Sequence, residues 1–325
     1  MRFKLSVWLI LALLPVTAMS QSAIHSTYRF LLIPPSAYAS ALGGNGVSLK
    51  HGDFSMMTLN PAYISVEDHR HFALSYINHI SDVNMGMLSG AWNFPGIGTL
   101  GGELRYLNYG KLIRADAEGN KMGTFQAYDM ALSVAMSRNL MPHLRYAGGI
   151  TFIRSSYGQY QSSAIGIMAG MWYAIPAKDL TLGASVTNLG AQIQTFDGLN
   201  EPLPLDIRVG VSKRLEHMPL RLSLTLHSLN RWQLPTVTDT RKPTFSQNLV
   251  RHVELGAELL LSDNVQIGLG YNRLRHEDLK SSNRLDLAGT SIGIIIRTRH
   301  FKFDISRNSW SSAGGLLQLS IQTTL

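Results

Sequence analysis

From His71 to the end of the chain, apolar and polar residues alternate with a period of two. Leu220, Leu222, Leu224 and Leu226 alternate with Arg221, Ser223, Thr225 and His227. Leu203, Leu205, Ile207, Val209 and Val211 do the same with Asp206, Arg208 and Ser212. Phe301, Phe303 and Ile305 alternate with Lys302, Asp304 and Ser306, and Leu317, Leu319, Ile321, Thr323 and Leu325 with Gln318, Ser320, Gln322 and Thr324. The pattern predicts about fourteen strands, near 71–78, 84–92, 98–108, 127–137, 143–155, 162–174, 179–190, 203–214, 219–229, 249–261, 264–274, 285–297, 300–308 and 314–324. Each approaches the roughly 9–11 residues that a tilted strand needs to cross a bilayer. In 285–297 the apolar face shifts from Leu285 and Leu287 to Ile292, Ile294 and Ile296, which predicts a bulge near Gly289. No amphipathic helix of ordinary length follows Ala62.

The connections carry a second signal. Those after even-numbered strands are short, around Phe94-Pro95, Met141-Pro142, Pro176-Ala177, Glu216-His217, Ser262-Asp263 and Arg299. Several after odd-numbered strands are long: 109–126, 191–202, 230–248 and 275–284. Outer-membrane barrels have short periplasmic turns and longer external loops, whereas a soluble sandwich has no reason to alternate in this way. Aromatic residues gather near strand ends (Trp92, Phe94, Tyr106, Tyr109, Tyr157, Tyr160, Trp172, Tyr173, Trp232 and Trp310), as interfacial girdles do. The fold class read from the pattern is all-β, a transmembrane antiparallel β-barrel of about fourteen strands. Strand parity puts both termini in the periplasm and the long loops outside.

Before the strands lies LLIPPSAYASALGGNGVSLKHGDFSMMTLNPA, from Leu31 to Ala62. Pro34-Pro35 favours an extended start, and Ser36 can cap a short helical turn through Leu42. Gly43 tolerates positive φ at the helix stop. Asp53 can cap a second turn, and Asn60, preceding Pro61, is pushed out of the α region. The segment is too short for a domain and must pack on or inside the strands that follow, and strand parity puts it beside the periplasmic, short-turn mouth.

Composition places the chain. Met1-Arg2-Phe3-Lys4, an apolar run from Leu5 to Val16, and small residues at Ala18 and Ser20 read as a signal peptide cut before Gln21. The chain has no cysteine, so neither disulfides nor thiolate metal ligands are expected. Lys and Arg number 29 against 21 Asp and Glu, but they are scattered, which argues against a nucleic-acid surface.

Catalytic chemistry is not legible. Gly96-Ile97-Gly98-Thr99-Leu100-Gly101 spells GxGxxG, yet it follows a proline turn and runs into a strand rather than a helix. His69-Arg70-His71 and His252 with Glu254 match no zinc signature. No S-x-x-K and no Cys nucleophile is present, so no enzyme activity, metal or cofactor is expected. The polar side of the alternation instead carries Glu103, Arg105, Asp206, Arg208, Arg221, Glu254, Glu258, Lys302 and Asp304. Opposite charges facing one another in a lumen can cross-link and fill it, whereas a conduit for apolar ligands calls for greasy inward positions.

The order Leu32, Pro34, Ser36-Ala37, Ala39, Ala41-Leu42-Gly43-Gly44-Asn45, then Asn60-Pro61-Ala62, resembles the start of the PorV and PorQ barrels of the type IX secretion system, relatives of the FadL superfamily. Tyr106-Leu107-Asn108-Tyr109-Gly110, Gly119-Asn120 with Gly123-Thr124-Phe125, Asn188-Leu189-Gly190 and Glu201-Pro202-Leu203-Pro204 extend the likeness over nearly the whole mature chain. Arg221 to His227 with Trp232 is particularly similar to the PorQ-type members. Tyr38 stands where that family often has Arg, and Leu325 where many barrels end in Phe.

The resemblance implies a signal peptide over 1–20, a partly helical plug over 21–70 and an outer-membrane barrel over 71–325. Gly43, Gly44, Asn60, Pro61 and Ala62 would form the plug or its hatch. It further implies a non-enzymatic part of the surface attachment complex, beside PorU and PorV-like components, holding a PorZ-like surface protein while cargo is joined to anionic lipopolysaccharide. Lys111, Arg114, Trp232 and Arg275 are then the expected partner-binding positions. The competing expectations are a FadL-like transporter of hydrophobic small molecules and a generic pore.

Overall fold

The computed structural model describes residues 26–50, 53–78, 82–116, 118–236, 239, 241–279, 287–311 and 314–324. The expected signal peptide, the first plug residues 21–25, Lys280 to Leu285 and Leu325 lie outside them. Fourteen antiparallel strands follow one another round a closed barrel. They are β1 (His71–Asn78), β2 (Asn84–Phe94), β3 (Gly98–Ala115), β4 (Lys121–Met141), β5 (Leu144–Tyr157), β6 (Tyr160–Ile175) and β7 (Leu180–Gln194). The second half is β8 (Asp206–Arg214), β9 (Leu220–Leu226), β10 (Val253–Leu260), β11 (Val265–Asn272), β12 (Thr290–Arg297), β13 (Phe301–Ser311) and β14 (Gly314–Thr324). Pairing of β1 with β14, from His71 with Thr324 to Asn78 with Leu317, closes the ring and leaves no unpaired edge.

The period-two pattern sorts the wall into two faces. Leu222, Leu224, Leu255, Leu269, Ile292, Ile294, Phe303, Ile305, Leu317 and Leu319 point outward and are exposed, while Arg221, Thr225, Glu254, Glu258, Ser291, Asp304 and Ser306 point inward and are buried. An apolar belt of this kind is untenable in water and suits hydrocarbon. No helix among the described residues is long and apolar enough to cross a membrane.

The two mouths differ as expected. One carries the short connections 95–97, 142–143, 176–179, 215–219, 261–264 and 298–300; the other carries the long connections 195–205, 227–252 and 273–289. The expected loop 109–126 is instead mostly a projecting hairpin, because β3 and β4 stay paired from Lys111 with Gln126 to Ala115 with Lys121. Its charged residues read as loop, but the backbone satisfies itself by laddering beyond the belt. Within the long connections lie two short helices, α2 (Phe245–Arg251) and α3 (Arg273–Leu279). Gly289, expected at a bulge, sits at positive φ in the turn before β12.

A fourteen-strand wall encloses more space than its own side chains fill. Residues 26–70 fill it. The helix α1 (Ala37–Ala41) is capped by Ser36, whose side chain accepts from the Ala39 amide at 3.2 Å, and Gly43 and Gly44 turn the chain at φ 105° and 110°. Asp53 and Asn60 cap two short 3₁₀ turns, Phe54–Met56 and Pro61–Tyr63. The wall meets this segment through inward glycines. A Cβ on Gly183 would lie 1.9 Å from the Val47 carbonyl oxygen, and one on Gly270 would lie 2.2 Å from the Gly43 amide. The glycines are where plug backbone touches wall backbone.

Gly183→Ala and Gly270→Ala are therefore each expected to force the plug from its seat and cost about 1–3 kcal/mol, the usual range for overpacking. Gly86→Ala, which meets nothing within 4 Å, is the control. Urea unfolding in detergent reads the difference.

Candidate functional site: a fastened lumen and a loop platform

Arg105 on β3 is the most densely bonded group in the lumen. It is 2 % exposed, and its Nη1 donates to the carbonyls of Phe30, Leu31 and Ile33 at 3.3, 3.1 and 3.0 Å. Its Nη2 donates to Thr58 Oγ1 at 3.0 Å and to Glu103 Oε1 at 2.9 Å. One guanidinium therefore ties the beginning of the plug to its later part, and Glu103 neutralises it. A planar fork of five donors suits this task in a way that a lysine does not.

The other inward charges are arranged likewise. Arg208 pairs with Asp206 at 2.7 Å and reaches the Leu59 carbonyl at 3.4 Å, while Asp206 accepts from the Ser228 amide at 2.7 Å. Glu254 accepts from the Asn45 amide at 2.7 Å and from Asn45 Nδ2 at 2.9 Å. Tyr38 donates to Glu258 at 2.7 Å, and Glu258 faces Arg221 at 3.6 Å. Lys302 pairs with Asp53 at 2.6 Å and Asp304 at 3.3 Å, and lies 4.7 Å from the Tyr38 ring centre. Tyr38, where the PorV and PorQ barrels often place Arg, thus spends its hydroxyl on Glu258 and its face on Lys302.

Asn60, Pro61 and Ala62 are buried. Asn60 Nδ2 donates to the Val47 carbonyl at 2.9 Å and to the Met171 carbonyl of β6 at 3.0 Å, and Asn60 Oδ1 accepts from the Ala62 amide at 3.0 Å. Every polar atom of that amide side chain holds something in place. The bond to Met171 ties the stretch to the wall.

The expectation that the plug lies beside the short-turn mouth is corrected. Thr27 donates through N and Oγ1 to Glu201 at 2.7 Å, and Ser26 donates to the Pro202 carbonyl at 2.8 Å, both in the long connection 195–205. Lys50 meets Asp179 at the opposite mouth, at 2.5 Å. The segment therefore runs the full length of the lumen, and residue 26 lies at the other mouth from His71 and Thr324. The upper lumen is also greasier than the charged pattern implied. Tyr28 and Phe30 pack there with Ile77, Met85, Met87, Leu107 and Ile153.

Three aromatic assignments change as well. Tyr109 and Tyr157 do not join a girdle but donate to the buried Asp129 carboxylate at 2.6 and 2.9 Å. Trp172 faces the lumen, with the Arg145 guanidinium 4.6 Å from its ring centre.

At the long-loop mouth the expected partner positions separate. Lys111 and Arg114 stand exposed on the projecting hairpin. Trp232 packs between Phe245 and His252 at 4.9 and 5.5 Å. Arg275 leans inward: its Nη2 would lie 3.2 Å from a Cβ on Gly44, so it bears on the plug. The organiser of this platform is Arg251, which sequence reasoning missed. It is 3 % exposed, grips Asp239 through Nη1 and Nη2 at 2.7 Å each, bonds Glu277 at 2.5 Å, and holds the Leu234 carbonyl at 2.8 Å. Asp239 is held down to about 2 by that fork. The only sequence signal was a basic residue ending a short helix. A cleft of about 290 Å³ lies beside it, lined by Arg29, Leu32, Asp206, His227, Arg231 and Leu234 among others.

At the short-turn mouth, a polar cavity of about 600 Å³ is lined by Lys50, Asp53, Glu67, Asp68, Arg145 and Lys302 among others. Asp68 accepts from the Ser65 amide at 2.7 Å and its hydroxyl at 3.0 Å. Burial, and then the nearby Asp53 charge, push the Asp68 carboxyl up to about 6. No cluster that could hold a metal ion is found among the described residues.

Comparison with solved structures gives the architecture a precedent. The Pseudomonas putida toluene transporter TodX superimposes with a TM-score of 0.57 over 90 % of this chain and 99 % of that one, at 12 % identity. The fold is that of the FadL-type outer-membrane barrels. A Pseudomonas aeruginosa FadL homologue matches with a TM-score of 0.55 at 11 % identity, over 90 % of this chain and 99 % of its own. The CymD monoaromatic hydrocarbon channel matches at 0.52 and 12 % identity, over 90 % of this chain and 98 % of that one. Of these neighbours, TodX is a transporter and CymD a channel. No protein-family model and no curated protein matches the sequence.

Two outcomes are expected. Arg105→Ala leaves Glu103 as an uncompensated buried charge and should cost about 3–5 kcal/mol; Glu103→Gln added to it should recover part of the loss in urea unfolding. For Asp68, the folded chain keeps its proton where the unfolded chain has released it. Its contribution to stability therefore falls as pH rises from about 4 to about 6, by about 3 kcal/mol at most. Asp68→Asn should remove that dependence, read as the difference in unfolding midpoint between wild type and variant across this window.

Proposed function

We propose that this chain is a stoppered outer-membrane barrel that works at its long-loop mouth, as a membrane foothold for a surface protein. The observation that carries this is the filled lumen. The chain's own residues 26–70 occupy it from mouth to mouth, and Tyr28 and Phe30 take up the apolar upper part that a greasy ligand would use. What remains accessible is the platform organised by Arg251, with Trp232 and Phe245 exposed on it. Its mix of aromatic and charged groups suits a polar, hydrated protein contact. The resemblance to PorV and PorQ barrels supplies the finer reading. The partner is PorZ-like, PorU and PorV-like components sit beside it, the task is attachment of cargo to lipopolysaccharide, and the long loops face outward with the short turns in the periplasm.

A second reading is uptake of hydrophobic small molecules. That the toluene transporter TodX and the CymD monoaromatic hydrocarbon channel share this fold favours it over attachment, and the cleft beside Arg251, with Leu32 and Leu234 in its wall, offers a first binding place. The two readings part on measurement. The foothold predicts no toluene or fatty-acid uptake by cells carrying the barrel and no conductance in planar bilayers. It also predicts that Arg251→Ala, which removes the platform's central fork, strips the surface partner from intact cells while the barrel still assembles. Uptake above that of barrel-free cells, with the partner retained on the Arg251→Ala variant, establishes the transporter instead.

A further inference from the structure

The outward wall of β8 to β11 carries a cavity of about 600 Å³ on the lipid side of the barrel. Leu222, Leu224, Leu255 and Leu269 stand round it, and Ala257, paired with both Leu222 and Leu269, gives it a low floor. A methyl group in a row of leucines leaves a dent. Its volume falls within the roughly 300–1,000 Å³ of small-molecule sites. It does not open inward, because the plug stands directly behind the wall. A Cβ on Gly256 would lie 3.2 Å from the Leu42 carbonyl oxygen, and one on Gly270 would touch the Gly43 amide.

Lys213 closes the short-turn end of the dent. It follows the inward Ser212 on β8, points outward, and is half-buried next to Leu180, the first residue after a short connection. Among the described residues no carboxylate pairs with it. A lysine at the rim of an apolar belt brings its ammonium to headgroup depth.

We propose that this dent is a binding site for one glycerophospholipid, an acyl chain lying against Ala257 and the lipid phosphate meeting Lys213. Bulk lipid is as apolar as the leucines, so burying the chain gains nothing from the hydrophobic effect. Preference for one lipid comes from packing in the dent and from the ammonium–phosphate contact. On the orientation proposed above, Lys213 lies in the periplasmic leaflet, which is why the occupant is a glycerophospholipid and not lipopolysaccharide. The site does not depend on whether the barrel anchors a partner or transports.

The full chain, folded into phosphatidylcholine liposomes doped with a phosphatidylglycerol carrying a photoreactive acyl chain, provides the test. Mapped by mass spectrometry, crosslinks should concentrate on peptides containing 213, 222–224, 255–257 and 269–271 over the rest of the belt. Ala257→Phe fills the dent and should abolish that excess. Lys213→Gln should lower it roughly five-fold, the worth of one lysine near a membrane phosphate. Lys213→Gln leaves the dent intact, so it tests the site even if the Ala257 variant fails to fold. Even labelling round the belt, or an excess unchanged in either folded variant, overturns the proposal.

Discussion

The structure depends on neutralising a charged wall that the plug buries. Glu103, Arg105, Arg208, Arg221, Glu254 and Glu258 are each within about 2 % of full burial. Charges so placed are tolerated where each has an opposite charge or a hydrogen-bond partner. The wall supplies some of those partners. The rest come from plug carbonyls, from the Asn45 amide, from Tyr38 and from Thr58. Barrel and plug are therefore one folding problem, since neither satisfies its polar groups alone.

That dependence explains why the barrel was readable in the sequence and the plug's path was not. Period two is imposed by the pleat, so Leu222 and Arg221 declare their faces from sequence alone. Ser36, Asp53 and Asn60 likewise announced their caps, because a short polar side chain before a turn has few other uses. Nothing local, however, says that Ser26 and Thr27 will reach Pro202 and Glu201, more than 170 residues later. Arg275 misled for the same reason: charge and loop position suggested a partner, while its guanidinium is turned onto Gly44. Arg251 and Asp129 stayed hidden because their partners come together only when the long-loop mouth assembles.

The hatch and the stopper differ in what the backbone must break to move. Releasing Asn60 means giving up bonds to Val47, Met171 and Ala62 together, and Gly183, Gly210 and Gly270 leave the plug backbone little room to slide past the wall. A fold shared with hydrocarbon transporters thus carries here a lumen built for retention. Buried polar networks of this kind rigidify when complete, and the charges that would be stranded by opening make partial release costly.

Hydrogen exchange on the intact barrel in detergent addresses the central claim most directly, because it reports local opening residue by residue. A fixed stopper predicts that the amides of 37–42 and 54–64 exchange as slowly as those of β3 to β6 and lose protection only when the strands do. Rapid exchange of those plug amides while the strands stay protected would contradict it, and would make the segment a gate.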